Sequence, residues 1–312
     1  MSDYYLYPEK PILIRNNTKS NWALTVFTMV LFVAVFLFFY KDRAEFIFLL
    51  LLVLFIHELG HYIFMKMFKY ENMRMLFVPM LGAFVQGSKR VYSQKESILV
   101  SLSGPIPGIL FGFACLIIST YFHLSWLMLL AFIFLFLNVI NLLPFDPLDG
   151  GQMLKALFIK GHERYSLLFS LISSLVLLGI GFYMEDWVFI LVGMFMGIRV
   201  RSMQVTYQIH KELAILDVNY TSVYEDVSNR DYHVMKELLM EQKRTARIYN
   251  QLPNEQNDQF IAQMVDSLLV PPLLYDMSVF AKVLIMLLWL AGLLSPLVLY
   301  YFVDISWYFE TI

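Results

Sequence analysis

The 312-residue sequence predicts an all-α polytopic membrane protein, about seven transmembrane helices around a three-helix core, with a short membrane-associated β-hairpin. Composition is the first sign: 59% of residues are hydrophobic and 15% are charged, against a usual charged share of about a quarter, and the mean hydropathy is +0.63. The second is the recurrence of hydropathic runs of roughly 18 to 25 residues, the length that crosses about 30 Å of hydrocarbon. The third is an apolar stretch at 73–90, "MRMLFVPMLGAFVQGSKR", interrupted by Pro79, Gly82 and Gly87. It is too broken for a spanning helix and suited to a hairpin lying in the membrane, where its backbone must be covered by protein or face a water-filled cavity. A net charge of −2 offers no basic surface for a nucleic acid, and the single cysteine, Cys115, excludes an internal disulfide.

The runs place spans at about 22–40, 45–68, 97–122, 125–143, 165–184, 187–203 and 279–302. The first follows a polar segment with Lys10, Arg15 and Lys19 and has no small-residue cleavage site at its end, so it reads as a signal anchor. Lysine and arginine collect after spans two, four and six, which puts those loops and the N-terminus in the cytoplasm and the C-terminus outside. Lys41 and Arg43 depart from that rule. Between spans six and seven, residues 204–276 are polar and helix-like, with Arg230, Lys236 and Arg247 among Glu225, Asp231 and Glu237. That mixture reads as a solvated helical surface, with His210 exposed on it. The resulting segments are 1–44, an N-terminus and first anchor; 45–155, a core; 156–203, two accessory spans; 204–276, the cytoplasmic segment; and 277–312, the last span and an outside tail.

Span two contains "LLLVLFIHELGHYIF", in which residues 57–61 read His-Glu-Leu-Gly-His. On a helix advancing 100° per residue, His61 lies about 40° from His57, and Glu58 about 100° from it. The three side chains therefore share a face. Two imidazoles one turn apart can bind one zinc ion, and the glutamate between them can reach a water beside it and act as a general base. A charge within a span costs roughly 2.5–3.5 kcal/mol on insertion scales and marks a functional site by default. A catalytic zinc takes three protein ligands. The third candidate is at the end of span four, in "NVINLLPFDPLDGGQM" at 138–153, where Asp149 precedes Gly150 and Gly151 after a proline-broken helix. Spans two and four run in the same direction, so Asp149 arrives at the depth of His57 and His61. Asp146, between Pro144 and Pro147, is a rival ligand or a turn cap.

His57-Glu58-Leu-Gly-His61 in one span, with Asn141-Leu-Leu-Pro144 and Asp149-Gly150 at the end of a later one, resembles the site-2 protease family of intramembrane zinc metalloproteases. The resemblance covers roughly 45–155, a three-helix metalloprotease core. It implies that His57, His61 and Asp149 bind Zn2+, that Glu58 activates water and that Asn141 helps hold substrate. "FVPMLGAFVQG" at 77–87 is similar to the family's membrane-associated β-element, which implies that Gly82, Ala83, Phe84 and Val85 pair with an extended substrate. "SGPIPG" at 103–108 is similar to the family's Gly-Pro turn, with a proline where an asparagine-like residue is usual. The expected substrate is a membrane-spanning protein or peptide, the expected location a multi-pass protein of the cell membrane with its active site towards the cytoplasm. Two other readings stand beside it: a metal-binding membrane transporter, which uses the same histidines but has no need of Glu58 as a base, and a catalytically inactive membrane adaptor acting through 204–276.

Overall fold

The computed structural model describes residues 7–14, 22–79, 82–159, 163–185 and 187–297, and these divide into two compact units. Among the described residues, the larger comprises 22–79, 82–89, 93–159, 163–185, 187–197 and 275–297, and the smaller comprises 7–14, 90–92 and 198–274. Five helical stretches are long and apolar enough to cross a membrane: Trp22–Phe39, Lys41–Met67, Gln94–Phe122, Glu163–Met184 and Phe189–Ile215. Two more expected spans are helices of 17 and 15 residues, Ser125–Asn141 and Val279–Leu293. The count of seven thus becomes five long helices and two shorter ones. The end of the last expected span lies outside the described residues.

In the larger unit, α1 (Trp22–Phe39) buries only Thr25 and Phe32, as an apolar helix with lipid for solvent would. Those two contact points meet the hairpin. Thr25 Oγ1 donates to Met75 O at 2.8 Å, and Phe32 lies edge-on to Phe77 with centroids 6.4 Å apart. The expected hairpin is present as β1 (Glu71–Val78) and β2 (Gly82–Ser88), antiparallel, with Met75 opposite Val85 and Val78 opposite Gly82. Met75 and Phe77 are buried at the two-residue period of a strand with one face against a core. Gly82, at φ +95°, opens β2 in a conformation that side-chain-bearing residues rarely adopt.

The helix α2 (Ala44–Met67) packs one face inward, burying Val53, Leu54, His57, Glu58, His61 and Tyr62. Beyond the hairpin, α3 (Gln94–Leu102) starts at Ser93, whose hydroxyl accepts from Glu96 N–H, and gives way at Ser103–Gly104 to α4 (Pro105–Phe122). Pro105 suits a first helical position, where no amide partner is needed. His123, in the left-handed conformation, closes α4 before α5 (Ser125–Asn141) returns beside it. The chain then turns through 142–148, with a cis Asp146–Pro147 bond, into α6 (Asp149–Leu154) and a π turn at Lys155–Ile159. That turn is held from several directions. Trp289 Nε1 of α12 (Val279–Leu293) donates to Leu142 O at 2.8 Å, and Gln94 Nε2 donates to Ala156 O and Leu157 O at 2.8 and 3.1 Å. Met153, Ala156, Leu157 and Trp289 share one core cluster with Ile98 and Leu102. The next two helices are α7 (Glu163–Met184) and α8 (Trp187–Ile215).

The smaller unit corrects the expectation of a solvated helical surface. The second part of α8, a 3-10 turn at Tyr224–Asp226, α9 (Asn229–Glu241), α10 (Lys243–Gln251) and α11 (Asn254–Leu268) enclose a core of their own. Leu213, Tyr232, Met235, Ile261, Ala262 and Val265 are at most 1% exposed. His210 is buried rather than solvated: its ring stacks on Tyr220 with centroids 4.3 Å apart, and its Nε2 lies 2.7 Å from Leu268 O. Arg230 caps the end of α8 by donating to Leu216 O at 3.1 Å.

Candidate metal centre and active site

On α2, His57 and His61 sit one turn apart with ring centroids separated by 4.8 Å. The outer nitrogen of each ring has a fixed partner. His57 Nδ1 is 2.7 Å from Asn138 Oδ1, and His61 Nδ1 is 2.7 Å from Val100 O. Asn138 Nδ2 donates to Phe134 O at 2.7 Å, which fixes its amide orientation. Both partners of the imidazoles are pure acceptors, so each Nδ1 carries a proton, and in a neutral ring each Nε2 presents a lone pair.

Those lone pairs converge with a carboxylate. The two Nε2 atoms are 3.1 Å apart, and Asp149 Oδ2 lies 3.1 Å from His57 Nε2 and 3.3 Å from His61 Nε2. A tetrahedral zinc site with bonds near 2.05 Å has ligand–ligand edges of about 3.3 Å. Three acceptors at that spacing repel one another unless a cation, a metal ion or a proton, lies among them, and the spacing is that of a zinc site. Asp149 Oδ2 is buried with no hydrogen-bond donor, as expected of an atom reserved for a metal. Among the described residues, His57, His61 and Asp149 are the cluster able to hold a metal ion. Gly104 completes the cradle: a Cβ there would stand 2.5 Å from His61 Nε2 and 3.0 Å from His57 Cε1.

Glu58 is 5% exposed and accepts a hydrogen bond from the Val85 backbone. It borders a cavity of about 680 Å³ that also reaches His57, His61, Asp149 and Asn141. Ala83, Phe84 and Val85 of β2 line one side, and Val192, Phe195 and Met196 of α8 line another. Gly82 stands at the start of β2 and is not among the lining residues. Asn141 donates from Nδ2 to Leu137 O at 3.1 Å, so its Oδ1 remains for another group.

The rival carboxylate is engaged elsewhere. Asp146 is fully buried and receives Gln152 Nε2 at 2.7 Å, Lys155 Nζ at 2.9 Å and Ser170 Oγ at 2.6 Å, while its own N–H donates to Ser173 Oγ at 3.1 Å. Sequence reasoning missed Asn138 and Val100, which orient the imidazoles, and also missed what Gly104 does. The signal for Asn138 was present: a polar side chain in an apolar span, three residues before Asn141.

This geometry defines a class. Residues 45–128 match the family model of peptidase family M50, a stretch that contains His57, Glu58 and His61, so the resemblance to site-2 proteases extends beyond the motifs. Stage IV sporulation protein FB of Bacillus subtilis (strain 168) is 34% identical over 113 residues, which is 36% of this chain and 39% of that protein. Zinc metalloprotease MJ0392 of Methanocaldococcus jannaschii is 24% identical over 193 residues, 57% of this chain and 56% of the relative. The solved structure of the site-2 protease from Methanocaldococcus jannaschii aligns with a TM-score of 0.45 at 24% identity, over 57% of this chain and 88% of that one. The chain thus spans between two fifths and three fifths of the length of these two curated relatives. With five helices able to cross a bilayer, it is an integral membrane protein.

Proposed function

We propose that this protein is an intramembrane zinc metallopeptidase, which hydrolyses peptide bonds within or near the membrane-spanning segments of other proteins or peptides. The observation that carries the reading is the convergence of three acceptor atoms, two imidazole nitrogens and a carboxylate oxygen, beside a buried glutamate at the wall of a cavity. His57, His61 and Asp149 would hold the zinc, which when bound acts as a Lewis acid and makes water a nucleophile near neutral pH. Asn138 and Val100 hold both rings in the tautomer that turns Nε2 inward. Glu58 accepts the proton of the attacking water on its carboxylate and returns it to the departing amine.

A transmembrane helix satisfies its own amides and offers no exposed carbonyl. The substrate must unwind, and pairing its backbone with residues 82–85 of β2 replaces the lost hydrogen bonds. Asn141 can then receive or orient a substrate amide.

Seven spans accord with the five long apolar helical stretches taken together with the shorter α5 and α12, and the excess of lysine and arginine after spans two, four and six supports a cytoplasmic side for residues 204–276.

The test is cleavage of a model transmembrane peptide by the reconstituted protein. A span containing glycine or asparagine should be cut, a uniform leucine span should be cut far more slowly, and Glu58→Gln should abolish both. Hydrolysis that survives Glu58→Gln would overturn the assignment of the base.

A further inference from the structure

Residues 7–14, "YPEKPILI", lie against the helical unit of 198–274 as an extended chain with no secondary structure of their own. Side chains of that unit hold their main chain. Asn229 Oδ1 accepts from Lys10 N–H at 3.1 Å, Tyr224 OH donates to Pro11 O at 2.7 Å, and His233 Nε2 is 3.0 Å from Pro8 O. Gln259 works as a neighbouring strand would, donating to Ile12 O at 2.7 Å and accepting from Ile14 N–H at 3.0 Å. Main-chain contacts of this kind accept many sequences. Ile12 and Ile14 are 85% and 60% exposed, so nothing in the unit selects their side chains.

Lys10 is different. Its Nζ lies 2.6 Å from Tyr224 O, 2.9 Å from Glu225 O and 2.6 Å from Val227 O. An ammonium group has three N–H donors on one nitrogen, and three carbonyls here receive them; a planar guanidinium cannot aim three donors from one atom. The 3-10 turn at Tyr224–Asp226 is thereby a receptacle for one kind of side chain. Leu13, partly buried on the unit's core, adds an apolar contact three residues further on.

We infer that residues 198–274 form a receptor for an extended peptide bearing lysine, that residues 7–14 are its built-in occupant, and that a partner protein's segment of the same chemistry competes for the site. The tethered segment acts at an effective concentration on the order of millimolar, so a free peptide binds measurably only once that segment is removed or weakened.

The test uses a fluorescent peptide of sequence YPEKPILI and the purified full chain in detergent, read by anisotropy. A chain lacking residues 2–14 and a full-length Lys10→Met chain should both bind the peptide saturably, at least about tenfold more tightly than the unaltered chain. Replacing the peptide's lysine with arginine should weaken binding about tenfold, and replacing it with methionine should remove it. Gln259→Ala in the shortened chain should lower affinity for every peptide alike. Failure of both altered chains to bind, or equal binding of the lysine and methionine peptides, would overturn the inference.

Discussion

Asp146 and Asp149 stand three residues apart on one turn, and their surroundings are opposite in kind. Asp146 is met by donors: an amide, an ammonium and a hydroxyl all reach its oxygens. Asp149 is met by acceptors, two imidazole nitrogens whose protons are committed to Asn138 and Val100. A carboxylate ringed by donors is complete as it stands and ties a turn together. One ringed by lone pairs is complete only with a cation. Burial alone does not separate a structural acid from a ligand; the sign of its neighbours does.

The largest effect expected from breaking this contrast is on stability at Asp146. Removing it leaves Lys155 buried without its carboxylate, so Asp146→Ala should destabilise the fold by about 3–5 kcal/mol. The double replacement Asp146→Leu with Lys155→Met should recover only the part due to the unpaired ammonium, because Gln152 Nε2 and Ser170 Oγ also lose their acceptor. Thermal unfolding in detergent, monitored by circular dichroism, reads both.

Next in size is the support of His57. Asn138→Ala frees the imidazole to rotate and change tautomer, and should lower zinc affinity about 10- to 100-fold with little change in folding. Gly108 faces the Asn138 amide so closely that a Cβ would overlap it. Gly108→Ala should therefore shift Asn138 and give a milder version of the same loss in a zinc-chelator competition titration.

The smallest effect is a pH dependence in the helical unit, away from the metal. Burial, with the carboxylates of Asp266, Asp258 and Glu225, raises the Tyr224 phenol from 10.0 to about 12. A raised acid contributes stability that is full below about pH 10 and lost as pH rises through about 12. Burial also lowers the Lys10 ammonium from 10.5, so its charge is lost first, and ionised Tyr224 can no longer donate to Pro11 O; residues 7–14 should become accessible to protease across that window. Tyr224→Phe should show the accessibility already at neutral pH.

Much of this was legible in the sequence, because it depends on local spacing. His57, Glu58 and His61 are four residues or fewer apart, and helix periodicity alone puts them on one face. Asp149 followed from topology and a proline-broken helix end. The hairpin was legible as an apolar run with misplaced glycines. What could not be read are pairings between distant segments: Val100 O on His61, Asn138 on His57, Gly104 beneath both rings. The helical unit was misjudged for another reason. Its charges drew attention, although Tyr232, Met235 and Leu239, and Ile261, Val265 and Leu268, recur at helical spacing. A face of that kind needs a partner, and the helices of 198–274 supply it to one another.

The measurement that bears most directly on the account is zinc content per chain, compared among the unaltered protein, Asp149→Ala and Asp146→Asn, each shown to be folded. About one zinc per chain is expected in the unaltered protein and in Asp146→Asn, and none in Asp149→Ala. Zinc retained in Asp149→Ala, or lost only in Asp146→Asn, would contradict it.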